Sequence, residues 1–168
     1  IIKSSKNELD LSNTKSINNY IREINPQIII NAAAFTAVDK AEDNSKKAHE
    51  INAIAPKIIS ESINNLKGKL IHFSTDFVFD GNNSVPYLPN EKTNPLGEYG
   101  KSKAEGEKYV LRNKNCYVIR TSWLYGDYGN NFCLKMLKLH KNKSAKNDSL
   151  KVITDQIGVP TSTYSLTK

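Results

Sequence analysis

Leu70-Ile71-His72-Phe73-Ser74-Thr75-Asp76-Phe77-Val78-Phe79-Asp80-Gly81 joins a short apolar run to a polar end and a turn. The run predicts a strand over Leu70–Phe73 that delivers Ser74, Thr75 and Asp76 at its carboxyl end. A long stretch containing Pro86, Pro89 and Pro95 follows, and loops of that length with little regular structure tend to be functional. It leads into Gly97-Glu98-Tyr99-Gly100-Lys101-Ser102-Lys103, the start of a helix running to about Arg112. Tyr99 and Lys103, four residues apart, share one face of that helix. A phenol with a pKa near ~10 carries protons poorly at neutral pH unless a cation stabilises its anion, and Lys103 is the expected cation. Thr75 reaches the same spot from the strand end. The three suit proton transfer to a carbonyl that receives a hydride. Tyr-x-x-x-Lys alone recurs by chance in a chain with eight tyrosines, so its surroundings decide the reading.

Working outward, Ile17, Tyr20, Ile21 and Ile24 recur at helical spacing, and Pro26 ends that helix. Ile28-Ile29-Ile30-Asn31-Ala32-Ala33-Ala34 reads as a strand buried on both faces. A helix from about Ser45 to Leu66 carries Ile51, Ile54, Ala55, Ile58, Ile59 and Ile63, with a kink expected at Pro56 and a stop at Gly68. Beyond Arg112, Cys116–Trp123 predicts a strand, about Asn131–His140 a helix and Lys151–Thr154 a short strand. Residues 1–3 read as the tail of another strand. Strands alternating with helix-length connections predict an α/β fold, a Rossmann-like doubly wound parallel sheet. Ligands of such sheets bind beyond the carboxyl ends of the strands. Three strand ends here are unusually small or polar: Asn31–Ala34, Ser74–Asp76 and Arg120–Trp123.

Composition narrows the function classes. The 168 residues suffice for one ordinary domain, and 38% hydrophobic with 24% charged residues fits a globular protein. No run approaches the ~18 apolar residues of a membrane span, and no secretion signal opens the chain. Two cysteines, Cys116 and Cys133, make no disulfide framework and fit a reducing cytoplasm. His49, His72 and His140 have no metal-ligand spacing. The net charge of +7 raises the question of nucleic acid. The densest basic stretch, Lys135, Lys138, Lys141, Lys143 and Lys146, lacks interleaved aromatics for base stacking and reads as a solvated face.

With these pieces in place the chain resembles the extended short-chain dehydrogenase/reductase superfamily, and within it the dTDP-4-dehydrorhamnose reductase family. The matching blocks are Asn31–Glu42, Ser74–Gly81, Tyr99–Lys103, Arg120–Gly126 and Asp155–Thr161, in order along almost the whole chain. The resemblance implies an enzyme that reduces the 4-keto group of dTDP-4-dehydro-6-deoxy-L-mannose to dTDP-L-rhamnose with NADPH, or with NADH as the alternative donor. It implies that Tyr99 gives the proton, Lys103 lowers the Tyr99 pKa and holds the nicotinamide ribose, and Thr75 orients substrate and phenol. By position, Asp10 and Leu11 match adenine-side contacts; Ala34, Phe35 and Thr36 match the segment along the cofactor; Asp76 and Trp123 match the sugar pocket. Substrate-pocket segments are expected at about 76–98 and 123–168. The implied partners are a nucleotide sugar and a second copy in a homodimer, with no nucleic acid and no membrane. Two other readings stay open: a different nucleotide-sugar epimerase, dehydratase or reductase, and a non-catalytic regulatory subunit like that of methionine adenosyltransferase.

The chain also departs from the family's pattern. Gly68 is its first glycine, so no glycine-rich pyrophosphate loop is found in it, and the chain is expected to be an interior fragment of a longer protein that lacks the family's first strand. The isolated chain is expected to be marginally folded, inactive and weak in cofactor binding, with no metal bound in this segment. Phe35 and Phe77 stand where family members often carry His and Tyr.

Overall fold

The computed structural model describes residues 1–144 and 149–168, so Lys146 of the basic stretch lies outside the described residues. The described chain divides into two compact units, Ile1–Arg120 and Thr121–Lys168.

In the first unit, α1 (Thr14–Ile24) opens on Asn13, whose side chain accepts the Ser16 N–H. It closes on Asn25 in the left-handed region, one residue before Pro26. Then come β1 (Ile28–Asn31), α2 (Val38–Asp43), α3 (Ser45–His49), a π-helical turn at Glu50–Ile54, and α4 (Ala55–Asn65). β2 (Lys69–Thr75), a 3₁₀ turn (Asp76–Val78), α5 (Glu98–Val110) and β3 (Cys116–Thr121) complete the series. The sheet order is β1-β2-β3. β1 and β2 are parallel, with Ile28 opposite Lys69 and Asn31 opposite His72. Ile17, Ile21, Ile59, Ile63, Leu70, Val110 and Cys116 form one core between the helices and the sheet, joined by Ile29.

Three expectations are corrected here. β1 is covered on one face: Ile29 packs on the core, whereas Ile28 and Ile30 are exposed, because no described helix lies over them. Residues 1–3 form no strand, since nothing among the described residues pairs with them. The helix over 45–65 has a widened turn at 50–54 in place of a kink at Pro56. Proline lacks an N–H and its ring crowds the carbonyl four residues back, that of Asn52. The helix accommodates this with a π turn, in which the Ala55 N–H bonds to the Glu50 carbonyl. The extra residue shifts the phase of the apolar stripe, so Asn52 and Ala53 are buried while Ile51 and Ile54 are only partly so.

In the second unit, β4 (Leu124–Tyr125) pairs in parallel with β5 (Thr161–Ser162); α6 (Phe132–Ser144) and α7 (Thr163–Leu166) complete it. The strand expected at Lys151–Thr154 is irregular, and the pairing falls instead on Thr161–Ser162. The strand expected to reach Trp123 stops at Thr121, because Trp123 turns left-handed with φ 46°.

Candidate active site

β2 delivers Thr75 and Asp76 at its carboxyl end, as its apolar run and polar terminus predict. The Thr75 side chain caps the following 3₁₀ turn: Oγ1 accepts the Phe77 N–H at 3.2 Å and donates to Asp76 Oδ1 at 3.1 Å. α5 packs tightly against this turn. A Cβ at Gly100 would lie 2.2 Å from the Phe77 carbonyl oxygen, so only glycine permits the approach. Tyr99 is thereby buried, its ring edge-on to Phe77 with centroids 5.6 Å apart. Burial pushes the Tyr99 phenol above its ordinary value; the Thr75 hydroxyl pulls it back and the Asp76 carboxylate pushes it further up.

Lys103, one turn along α5, is 2% exposed. Its Nζ donates to the Phe73 carbonyl at 2.6 Å and lies 3.4 Å from His72 Nε2. Burial lowers the amine to about 8, against the opposing pull of Glu107. The ammonium is drawn toward β2, and the phenol's net shift is upward.

Asn52, which the apolar stripe disguises in the sequence, links this helix to the end of β1. Its Oδ1 accepts the Phe35 N–H at 2.8 Å, and its Nδ2 donates to the Phe35 carbonyl at 3.1 Å and to Ser102 Oγ at 3.0 Å. The π turn carries it there, and Gly106 lets α5 approach: a Cβ at Gly106 would sit 2.1 Å from the Asn52 carbonyl oxygen. The 35–36 segment is thus tied to the helix that bears Tyr99 and Lys103.

Asp10, Leu11, Ala34, Phe35 and Thr36 come together along a groove of about 1080 Å³ in the first unit, near the upper end of ligand-pocket volumes. Hydrogen bonds from the Ser12 N–H (2.9 Å) and Ser12 Oγ (2.8 Å) orient the Asp10 carboxylate and lower its pKa. Lys3, Lys6 and Lys47 line the same groove. Thr75, Tyr99 and Lys103 do not line it.

The stretch between β2 and α5 has little regular structure yet is well tied. Asp80 accepts from Asn94 Nδ2, the Asn82 N–H and the Tyr87 hydroxyl, which hold its carboxyl at about 2. Phe79 stacks on Tyr87 at 4.1 Å, with the Arg120 guanidinium 4.9 Å from the Phe79 ring. Arg120 also grips the buried Glu107 of α5 at 2.7–3.2 Å and donates to the Pro89 carbonyl at 3.0 Å.

The family model of the RmlD substrate binding domain matches residues 1–168. The chain belongs to this RmlD family. A dTDP-4-dehydrorhamnose reductase of Sinorhizobium fredii is 42% identical over 163 residues, 96% of this chain and 54% of that protein. The Escherichia coli protein of the same name is 44% identical over 153 residues, 90% of this chain and 50% of its own length. The crystal structure of a dTDP-4-dehydrorhamnose reductase from Clostridium acetobutylicum superposes with a TM-score of 0.92 at 42% identity, covering 98% of this chain and 57% of that one. The Bacillus anthracis enzyme in complex with NADP also gives 0.92, at 38% identity, with 99% and 58% covered. The chain therefore has the Rossmann-like α/β fold and spans about half the length of the relatives it matches. Trp123, in the second unit, is exposed. Sequence reasoning did not single out Asn52. His72 shows in the sequence only as a member of the Leu70–Phe73 strand without metal-ligand spacing, and among the described residues no group of three or more acidic, His or Cys side chains could hold a metal ion. Nor is any described helix long and apolar enough to cross a membrane.

Proposed function

We propose that the complete protein carrying this chain reduces the 4-keto group of dTDP-4-dehydro-6-deoxy-L-mannose to give dTDP-L-rhamnose, with NADPH as hydride donor and NADH as the alternative. The observation that carries the reading is the convergence of Thr75, Tyr99 and Lys103 on the carboxyl end of β2, in a chain that matches the RmlD family along its whole length.

The groove fits a dinucleotide. Ala32, Ala33 and Ala34 let a flat group approach the backbone, and Asp10 offers an oriented acceptor for the adenosine side. Lys3, Lys6 and Lys47 offer the cations that a 2′-phosphate requires, which favours NADPH over NADH. Asp10 and Leu11 hold the adenine side, Ala34, Phe35 and Thr36 run along the cofactor, and Tyr99 and Lys103 hold the nicotinamide ribose. When bound, the cofactor supplies the hydride; the protein supplies orientation and the proton.

Tyr99 is the proton donor. Its raised pKa keeps the phenol protonated at neutral pH, ready to protonate the new alkoxide oxygen. The Thr75 hydroxyl orients the phenol and the sugar oxygen, and Asp76 fixes that hydroxyl by accepting from it. The segment at about 76–98, which lies in the first unit, supplies sugar-pocket residues beginning with Asp76. The same reading makes the nucleotide sugar the partner, a homodimer the assembly and the cytoplasm the location.

The test is NADPH oxidation by the complete protein with the 4-keto sugar nucleotide, wild type against Tyr99→Phe. A fall in kcat of about 10²–10⁴-fold with cofactor binding kept is expected. A wild type that binds NADPH tightly yet leaves this substrate unreduced refutes the reading in favour of another sugar nucleotide or a regulatory role.

A further inference from the structure

Lys103 has a neighbour that the scheme above does not use. His72 is fully buried on β2, with Nε2 3.4 Å from Lys103 Nζ and Nδ1 3.1 Å from Asn31 Nδ2. The parallel register sets Asn31 directly opposite His72. The Asn31 amide is oriented from its other end: Oδ1 accepts the Ala33 N–H at 3.2 Å, so the NH₂ faces the ring. An amide NH₂ only donates, so His72 Nδ1 is an acceptor and the neutral imidazole carries its proton on Nε2. That N–H points at the lysine. An ammonium has no lone pair to receive it, whereas a neutral amine does.

We propose that His72 is a positioning residue for Lys103: held in its Nε2–H tautomer by Asn31, it hydrogen-bonds the neutral amine and so keeps the lysine close to giving up its proton. The inference deepens the proposed function and rests on its reading of Tyr99 as the proton donor with Lys103 beside it at the nicotinamide ribose. When an N–H bond of the ammonium breaks and its proton passes to solvent water, the lone pair left on Nζ accepts the His72 N–H. No proton leaves the imidazole.

The surrounding groups bear on both partners. From α5, Glu107 favours the ammonium, and its own charge is engaged by Arg120 of β3. Tyr99 lies one turn back on α5, with Asp76 acting on it from the 3₁₀ turn. β1 contributes only the uncharged Asn31, and the π turn the uncharged Asn52. Burial works in the same direction as His72 on the amine, and together with Lys103 it keeps the ring neutral down to about 3.

The experiment is long-range ¹H–¹⁵N NMR on the complete protein with ¹⁵N-labelled histidine, across about pH 5 to about pH 9. A bare Nδ1 and a protonated Nε2 are expected throughout. A small inflection of the His72 signals near pH 8 should follow Lys103 and vanish in Lys103→Met. An Nδ1–H tautomer, or a ring that protonates near pH 6.5, overturns the proposal. Asn31→Leu gives a second readout. Without the amide donor the ring is free to turn its Nε2 lone pair to the ammonium. The Lys103-linked inflection should then move up by about one pH unit, both in the NMR titration and in the pH profile of turnover. An inflection that stays in place overturns the proposal. The tautomer reading needs no substrate, so an unreduced sugar nucleotide beside an intact tautomer counts against the proposed function alone.

Discussion

Replacing Lys103 with Met in the complete protein should stabilise the fold at neutral pH while abolishing turnover. The Lys103 amine titrates at about 8 in the folded chain and at 10.5 when free, so the native state binds its proton less tightly than the unfolded state does. Stability rises with pH wherever the unfolded state holds more protons, here between about pH 8 and 10.5. Below pH 8 the wild type carries the whole cost of the buried ammonium, about 3 kcal/mol. Methionine has a similar shape and no charge to desolvate. Against that, the Phe73 carbonyl loses its 2.6 Å donor, a loss of about 1–2 kcal/mol. The variant should therefore gain about 1–2 kcal/mol at pH 7. Urea denaturation followed by circular dichroism, run on both proteins from about pH 7 to about pH 10, reads the difference directly. Titrations common to the two proteins cancel. The wild type should overtake the variant as the pH climbs through the window. A variant that is less stable at pH 7, by a gap that does not change with pH, would refute the argument that Lys103 is a buried and strained cation.

Two further outcomes test the scaffold. Arg120→Leu leaves the Glu107 carboxylate, itself 3% exposed, without its counter-ion and frees the Phe79–Tyr87 stack. A loss of about 3 kcal/mol in urea denaturation is expected, and a loss below about 1 kcal/mol would show that water replaces the guanidinium. Gly106→Ala drives a methyl into the Asn52 carbonyl and should cost about 1–3 kcal/mol, read as a lowered Tm; an unchanged Tm would mean that α5 slides without cost.

Much of the site was legible because it rests on short-range rules. Tyr99 and Lys103 follow from helical spacing, and Thr75 follows from the apolar run before it. What escaped depends on exceptions to periodicity. Asn52 sits in an otherwise apolar stripe, and only the π turn ahead of Pro56 rotates it inward. The partnership of His72 with Asn31 depends on strand register, which spacing along one strand cannot supply. The Lys151–Thr154 run has the residues of a strand but no partner among the described residues, and Trp123 leaves its strand through a left-handed φ that few large residues adopt. Burial on both faces of β1 was read from three isoleucines, yet a run of apolar residues says nothing of what covers them.

The grip of Asn52 on Phe35 has a bearing on how this groove can change. A carboxamide that meets both the N–H and the C=O of one residue does what a neighbouring strand would do, and it reads only main chain. The path of the chain at position 35 is therefore set independently of the residue that occupies it. The aromatic ring there can be exchanged for an imidazole or a smaller group, re-lining one wall of the groove while its frame stays still. A scaffold of this kind allows ligand preference to drift by single substitutions whose cost is confined to the packing of that ring against Ala41, Ala48 and Tyr99.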